Sequence, residues 1–348
     1  MMWTENSIFK NDLEKIAASK FIPWERLNGK TVFITGATGL IGFTLASGLL
    51  YYSKTRGASI RVLALARDVE KARNKFADQL ADGCDLNFVH GDVEHLPSIE
   101  QPVEYIVHGA SPTDSIFFVQ KPVETILCNI QGTYNMLELA RKKHVKSFAY
   151  LSSMEVYGAN QNDEYIFEDS TTSVNSMSLR SSYPQAKLVC ENLCVSYCNE
   201  YAVPAKVIRL AQTFGPGVPR DNMRVFAQFG RCVLNKTNIV LQTTGESSHT
   251  YLYTADAATA ILSVLLCGKQ GNAYNAANPA TYCSIREMAE MLAQNMANGE
   301  ISVEVQITDT SKYPPTHCLN LNADKLMKLG WYPTTDLPGM YRNMLQCF

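Results

Sequence analysis

Tyr183 and Lys187 stand four residues apart in Tyr183-Pro184-Gln185-Ala186-Lys187, a spacing that brings both side chains to one face of a helix. A phenol beside an ammonium suits proton transfer, because tyrosine titrates near pH ~10 unperturbed and nearby positive charge lowers it towards neutrality. Any helix can carry that pair by chance. Upstream, Leu151-Ser152-Ser153-Met154-Glu155-Val156-Tyr157-Gly158 adds a hydroxyl, Ser153, and a carboxylate, Glu155. Near the start, Thr35-Gly36-Ala37-Thr38-Gly39-Leu40-Ile41-Gly42 follows a short apolar strand and opens an apolar helix. Glycines at 36, 39 and 42 permit a tight turn, let backbone N–H groups approach a pyrophosphate, and let helix and strand pack closely. The expected cradle is Gly36, Thr38, Gly39, Leu40, Ile41 and Gly42. Together these segments point to dinucleotide-dependent hydride chemistry.

The elements that must position these groups alternate along the chain. Strands are expected at Thr31 to Ile34, Arg61 to Leu65, Leu86 to Val89, Tyr105 to His108, Ser147 to Leu151 and Lys206 to Leu210, with helices such as Leu40 to Tyr51 and Val123 to Lys143 between them. Such alternation implies an α/β chain with a Rossmann-type, doubly wound parallel sheet. From Gly215 the pattern loosens into loops, short strands and helices, among them Ser284 to Met296. The expected organisation is a helical extension over residues 1 to 28, a dinucleotide-binding domain over 29 to 214, and a smaller mixed substrate lobe over 215 to 348, from which some chain returns to the first domain.

Composition restricts the partners. A chain of 348 residues can bury a large core, and a net charge of −2 gives no general pull towards nucleic acid or an acidic membrane. No apolar run reaches the ~20 residues that cross a bilayer, and the charged start reads as helix rather than signal, so a cytoplasmic protein is expected. The ten cysteines form no Cys-x-x-Cys pair and no zinc spacing, so no metal is expected. Cys190, Cys194 and Cys198 recur every four residues, as a packing stripe would.

With these segments the chain resembles the extended short-chain dehydrogenase/reductases, specifically the nucleotide-sugar epimerase/dehydratase family, over roughly residues 30 to 335. Further matches are His90-Gly91-Asp92-Val93, Asn129 in Asn-Ile-Gln-Gly-Thr, Arg209 to Pro216, and Lys328-Leu329-Gly330-Trp331-Tyr332-Pro333. The resemblance implies Tyr183 as general acid/base, Lys187 on the nicotinamide ribose, Ser153 on the reacting sugar oxygen and Asp92 as an adenine contact. It makes Asn129 structural. It also implies a homodimer paired through Val123 to Lys143 and Ser182 to Tyr201.

Departures from the family pattern bear on the reaction. Dehydratases of the family follow the Ser153 position with aspartate and glutamate, whereas this chain reads Met154-Glu155, and a thioether donates no proton. Sugar-acid decarboxylases carry serine at Met154 and arginine at His249. His249 also falls where many members hold the substrate diphosphate with arginine, and a later arginine is replaced in a stretch containing His317 and Cys318. Arg224 matches a substrate-binding arginine, and Gln212 stands where asparagine is common. A nucleotide-diphosphate sugar held by Ser153, Gln212, Arg224 and His249 is therefore expected.

At the end of the second strand Ala66 occupies the usual acidic position for an NAD ribose, while Arg67 can meet a 2′-phosphate. NADP(H) is favoured, and Asp68 keeps NAD(H) open. The leading expectation is hydride transfer at a carbinol or ketone of a nucleotide-activated sugar, by keto-reduction or C4 epimerisation. The alternatives are a dehydratase or decarboxylase using Glu155, and a non-catalytic dinucleotide-sensing protein.

Overall fold

The computed structural model describes residues 6–160, 162–307 and 316–348. Its strands are β1 (Lys30–Thr35), β2 (Ile60–Ala66), β3 (Leu86–His90), β4 (Tyr105–His108), β5 (Ser147–Ser153), β6 (Tyr165–Ile166), β7 (Ala205–Leu210), β8 (Gln212–Phe214), β9 (Ile239–Leu241), β10 (Ser248–Tyr253), β11 (Ala273–Ala276), β12 (Asn278–Ser284), β13 (Val303–Val305) and β14 (Cys318–Leu321). Its helices are α1 (Ser7–Ala17), α2 (Leu40–Arg56), α3 (Val69–Lys75), α4 (Ala77–Ala81), α5 (Ser115–Gln120), α6 (Pro122–Lys143), α7 (Ser182–Tyr201), α8 (Val225–Asn235), α9 (Thr254–Cys267), α10 (Ile285–Asn295), α11 (Asp324–Met327) and α12 (Leu337–Leu345).

Seven parallel strands form the central sheet in the order β11-β7-β5-β4-β1-β2-β3. Alternate residues of each strand enter opposite cores. Val32 and Ile34 of β1 pack with Leu13 of α1, Leu45 of α2 and Ile261 of α9, whereas Phe33 packs with Met136 of α6 and Cys190 of α7. Burial on both faces explains why these strands read as nearly continuous apolar runs rather than as alternation. Consecutive crossovers diverge between β1 and β4, so a crevice opens at their carboxyl ends.

A smaller mixed sheet, β12-β10-β14-β6 with β8 beside β10, is antiparallel at β10–β12 and parallel elsewhere. The chain leaves the large sheet after β7, builds α8 to α9, and returns as β11 to complete the sheet edge in register with Val207 to Leu210. The helix expected at Ser284 begins one residue later because Ser284 is its N-cap. Its hydroxyl accepts from Glu287 N, and the Glu287 carboxylate accepts from Ser284 N, a reciprocal capping box.

The amino-terminal helix is part of the core, with Phe9, Leu13 and Ile16 at most 1% exposed. It also buries Asp12, whose Oδ2 accepts from the Tyr253 hydroxyl at 2.6 Å. Burial pushes the Asp12 carboxyl up to about 7, the hydrogen bond only partly opposing it. Because the fold then binds this proton more tightly than the unfolded chain does, stability falls as pH rises from about 4 to about 7, by up to ~4 kcal/mol. Asp12→Asn is therefore expected to raise Tm at pH 8 and to lose that advantage by pH 4. An advantage independent of pH would contradict this account.

Candidate active site

The end of β1 shapes the first wall. Gly36 adopts φ +74, and a Cβ there would meet the Gly109 carbonyl carbon at 2.8 Å. A Cβ on Gly42 would drive into the Gly36 carbonyl oxygen. The two glycines thus let the loop, α2 and the chain after β4 approach one another. Gly39 N donates to Gly36 O at 2.9 Å, and Gly39 caps α2 without a side chain. The first-turn N–H groups remain for an anion, so these residues fit a dinucleotide pyrophosphate. From outside, Lys75 Nζ fixes the loop by donating to Thr38 O at 2.8 Å.

His108 locks β1 to β4 and α6. Thr35 Oγ1 accepts from Gly109 N and Ala110 N, both at 3.2 Å, which leaves its own proton for His108 Nδ1 at 2.7 Å. That network assigns the other proton to Nε2, which donates to Thr133 Oγ1 at 3.2 Å. Burial pushes this imidazole down to about 3, so it is a neutral strut.

The far end of the cradle holds Arg67 and Asp92, both lining the cavity. Asp68 is not among the lining residues. Its Oδ1 accepts from Lys71 N at 2.9 Å as the N-cap of α3, a use that Asp followed by a helical run signals in the sequence. Asp92 Oδ1 accepts from His95 N at 2.7 Å, and this bond holds the carboxyl below its ordinary range.

The opposite wall comes from β5 and α7. Ser153 caps the short turn Met154–Tyr157 by accepting from Glu155 N at 3.2 Å, and its side chain also hydrogen-bonds Tyr183. Ser153 therefore serves both the turn and the site. Tyr183 and Lys187 lie one turn apart on α7, with Pro184 in the first turn, where a helix needs no N–H donor. Phe118 stacks on the Tyr183 ring with centroids 4.3 Å apart and planes 5° from parallel. This clamp went unread in the sequence because Phe118 lies in a short apolar run with no motif.

The charges around Tyr183 differ from the sequence expectation. Burial, and then the Glu155 carboxylate, push its phenol up rather than towards neutrality. Lys187 Nζ donates to Leu151 O at 2.8 Å and lies 5.6 Å from the Tyr183 ring centre. Burial pushes this ammonium down to about 8. Burial also raises the Glu155 carboxyl, against the positive charges of Arg180, Arg224 and His317.

One cavity of about 670 Å³ joins the glycine loop, Arg67, Asp92, Ser153, Glu155, Tyr183, Lys187, Gln212 and Arg224. Arg224 is steadied by donating through Nη2 to Thr113 O at 2.7 Å. His249 is the exception among the expected site residues. It does not line this cavity, and its Nε2 lies 2.9 Å from His317 Nε2 across neighbouring strands. The pairing was hidden because the two histidines are 68 residues apart.

Asn129 is buried in α6, where its Oδ1 accepts from Ser111 Oγ and its Nδ2 donates to Thr125 O, both at 2.8 Å. Cys190 and Cys194 are buried in the packing between sheet and helices.

The family model described as NAD dependent epimerase/dehydratase family matches residues 32–277. UDP-glucuronic acid decarboxylase 1 of Xenopus tropicalis is 26% identical over 334 residues, covering 94% of this chain and 74% of that protein. The dTDP-D-glucose 4,6-dehydratase of Bos taurus is 23% identical over 318 residues, covering 87% and 84%. Among solved structures, the UDP-glucose 4-epimerase of Thermotoga maritima with UDP-glucose superposes with a TM-score of 0.76 at 19% identity, covering 91% of this chain and 98% of that one. The dTDP-glucose 4,6-dehydratase of Streptomyces venezuelae with NAD and TYD bound gives 0.76 at 22% identity, covering 91% and 96%. These structures share the Rossmann-type fold, and the family match spans most of the large sheet and α7. The chain belongs to the NAD-dependent epimerase/dehydratase family.

Proposed function

We propose that the protein transfers a hydride at a carbinol or ketone of a nucleotide-diphosphate sugar, as a keto-reductase or C4 epimerase. The observation that carries this reading is the hydrogen-bonded Ser153–Tyr183 pair facing the glycine loop across one cavity. A nicotinamide dinucleotide, when bound, supplies or accepts the hydride. The chain's own residues manage the proton. Buried Tyr183 retains its proton and can deliver it to an oxygen that becomes an alkoxide, while Ser153 orients that oxygen. Lys187 fixes α7 to the end of β5 and supplies positive charge near the phenol. Arg224 and Gln212 reach the cavity from the lobe side and would hold the diphosphate.

NADP(H) is the proposed cofactor, supported by Arg67 in the cavity wall and Asp68 committed to its helix. Arg67→Ala is expected to weaken NADPH binding by about 10–100-fold and leave NADH binding nearly unchanged, the difference expected for losing one charged hydrogen-bond partner. Titration of the purified chain with both nucleotides checks this. Wild-type preference for NADH would remove the NADP(H) proposal and favour a self-contained epimerase.

A second reading is favoured by one observation: Glu155 lines the same cavity with its carboxyl raised by burial, as a base or acid for elimination or decarboxylation would be. Incubation with nucleotide-linked keto sugars, glucose and glucuronate, followed by mass spectrometry, separates the two. A product two mass units heavier with NADPH consumed supports reduction, and an isomer of unchanged mass supports epimerisation. Loss of water or carbon dioxide supports the Glu155 chemistry.

We also propose a homodimer through α6 and α7, supported by exposed Val123, Leu127 and Tyr134 on the first helix and Val189, Val195 and Tyr201 on the second. Sedimentation of the purified chain tests the pairing. No helix among the described residues is long and apolar enough to cross a membrane.

A further inference from the structure

Between the end of β4 and α6 the chain makes the short helix α5, which Asp114 caps by accepting from Ile116 N at 2.9 Å. This helix is tied to three neighbours. Ahead of it, Ser111 Oγ donates to Asn129 Oδ1 of α6 at 2.8 Å, and Thr113 O accepts from Arg224 Nη2 of the lobe at 2.7 Å. Within it, Phe118 grips two consecutive residues of α7. Its carbonyl oxygen accepts from Ser182 Oγ at 3.0 Å, and its ring lies 5° from parallel to the Tyr183 ring with centroids 4.3 Å apart. Phe118 is 3% exposed and Tyr183 8%, yet neither belongs to the apolar cores on the two faces of the large sheet. Both line the cavity instead. A stacked pair outside both cores, at the one ring that faces the reacting groups, is placed to set an orientation more than to hold the fold.

We propose that Phe118 is a positioning residue for Tyr183: the parallel stack fixes the plane of the phenol so that its oxygen meets the substrate oxygen oriented by Ser153. The inference rests on reading Tyr183 as the group that moves the proton. A positioned acid works within about 0.5 Å and 10–20° of its productive geometry, and packing is what locks its rotamer there. The phenol oxygen lies at the far end of its side chain, so a small swing about the Cα–Cβ bond becomes a large displacement of that oxygen. Ser153 hydrogen-bonds the side chain at its tip, and Lys187 commits a hydrogen bond to Leu151 O. The broad face of Phe118 is what opposes the swing, and the bond from Ser182 to the Phe118 carbonyl keeps α5 from drifting along α7. A leucine at 118 would fill the volume without supplying the plane.

The test combines kinetics of the full chain with fluorine NMR of the same chain carrying fluorotyrosine, the Tyr183 signal assigned by its loss in Tyr183→Phe. Phe118→Leu keeps apolar bulk and removes the stack. Its Tyr183 signal is expected to move downfield as the shielding by the parallel ring is lost. With an accepted nucleotide sugar, kcat is expected to fall about 10–100-fold, the cost of misplacing a reacting group by about 1 Å, while KM and NADPH affinity stay close to wild type. Phe118→Tyr, which keeps the aromatic plane, is expected to retain most of the wild-type kcat. Should Phe118→Leu fail to fold, Phe118→Met repeats the comparison with a side chain that adapts to irregular space. An unchanged kcat in a folded aliphatic variant, an equal loss in Phe118→Tyr, an unmoved Tyr183 signal, or a loss carried by KM instead of kcat would overturn the proposal. Full turnover in Tyr183→Phe would instead remove the acid reading, whereas the displacement of the Tyr183 signal is read without turnover, so the two failures can be told apart.

Discussion

Tyr183→Phe is expected to lower kcat/KM for an accepted nucleotide sugar by about 10²–10⁴-fold, the usual contribution of a positioned general acid, while leaving cofactor affinity essentially unchanged. The substitution is unusually clean at this position. Most of the ring's environment is the parallel stack on Phe118 and the interior of α7, both of which phenylalanine keeps. What disappears is one oxygen, the one that Ser153 hydrogen-bonds and that burial keeps protonated. Steady-state turnover followed by nicotinamide absorbance, paired with a fluorescence titration of the cofactor, separates the chemical step from binding. Undiminished turnover would show that another group moves the proton and would favour the Glu155-based reading.

The largest expected effect on stability lies just behind the site, at Arg209. Its guanidinium binds Glu191 through Nε and Nη2, the latter at 2.7 Å, and donates from Nη1 to the Tyr157 hydroxyl at 2.9 Å and to Glu168 O at 2.8 Å. The two side chains are only 12% and 9% exposed. Arg209→Met would leave the Glu191 carboxylate uncompensated in the interior, at a cost of about 3–5 kcal/mol. Pairing it with Glu191→Leu should recover much of that loss, since a buried ion pair replaced as a unit is often near neutral. Glu191 Oε1 also accepts from Ser152 Oγ at 2.6 Å, so the single substitution loosens the strand end that presents Ser153. Denaturant unfolding of both variants reads the coupling. A single variant within ~1 kcal/mol of wild type would show that the carboxylate is not buried with its charge.

Why some features were legible and others not follows from how far apart their causes lie in the chain. Six of the seven strands of the large sheet were readable as short, largely apolar runs, whereas β11, which returns after the lobe, went unread. Tyr105–His108 and Ser182–Tyr201 have the expected bounds, while α2 runs on to Arg56 because Ser53, Lys54 and Thr55 can face solvent without ending the helix. The glycine loop was readable because backbone approach demands glycine at particular steps. The Asp68 cap was readable in principle from its place before a helical run. By contrast, the His249–His317 contact and the burial of Asp12 under Tyr253 join residues 68 and 241 positions apart, with no periodicity to announce them. The direction in which Tyr183 is shifted was also hidden, because it depends on burial and on where the Lys187 ammonium points.

The return of the chain as β11 limits where the protein can be cut. A fragment ending at residue 214 would contain the glycine loop, Ser153, Tyr183 and Lys187, yet it would leave the apolar strand Ala205–Leu210 as a bare edge. Unpaired edges of that kind template aggregation. The same dependence orders biosynthesis: the cofactor half is fully encoded long before it can close, and the nascent sheet waits for about sixty further residues to emerge before its last strand arrives.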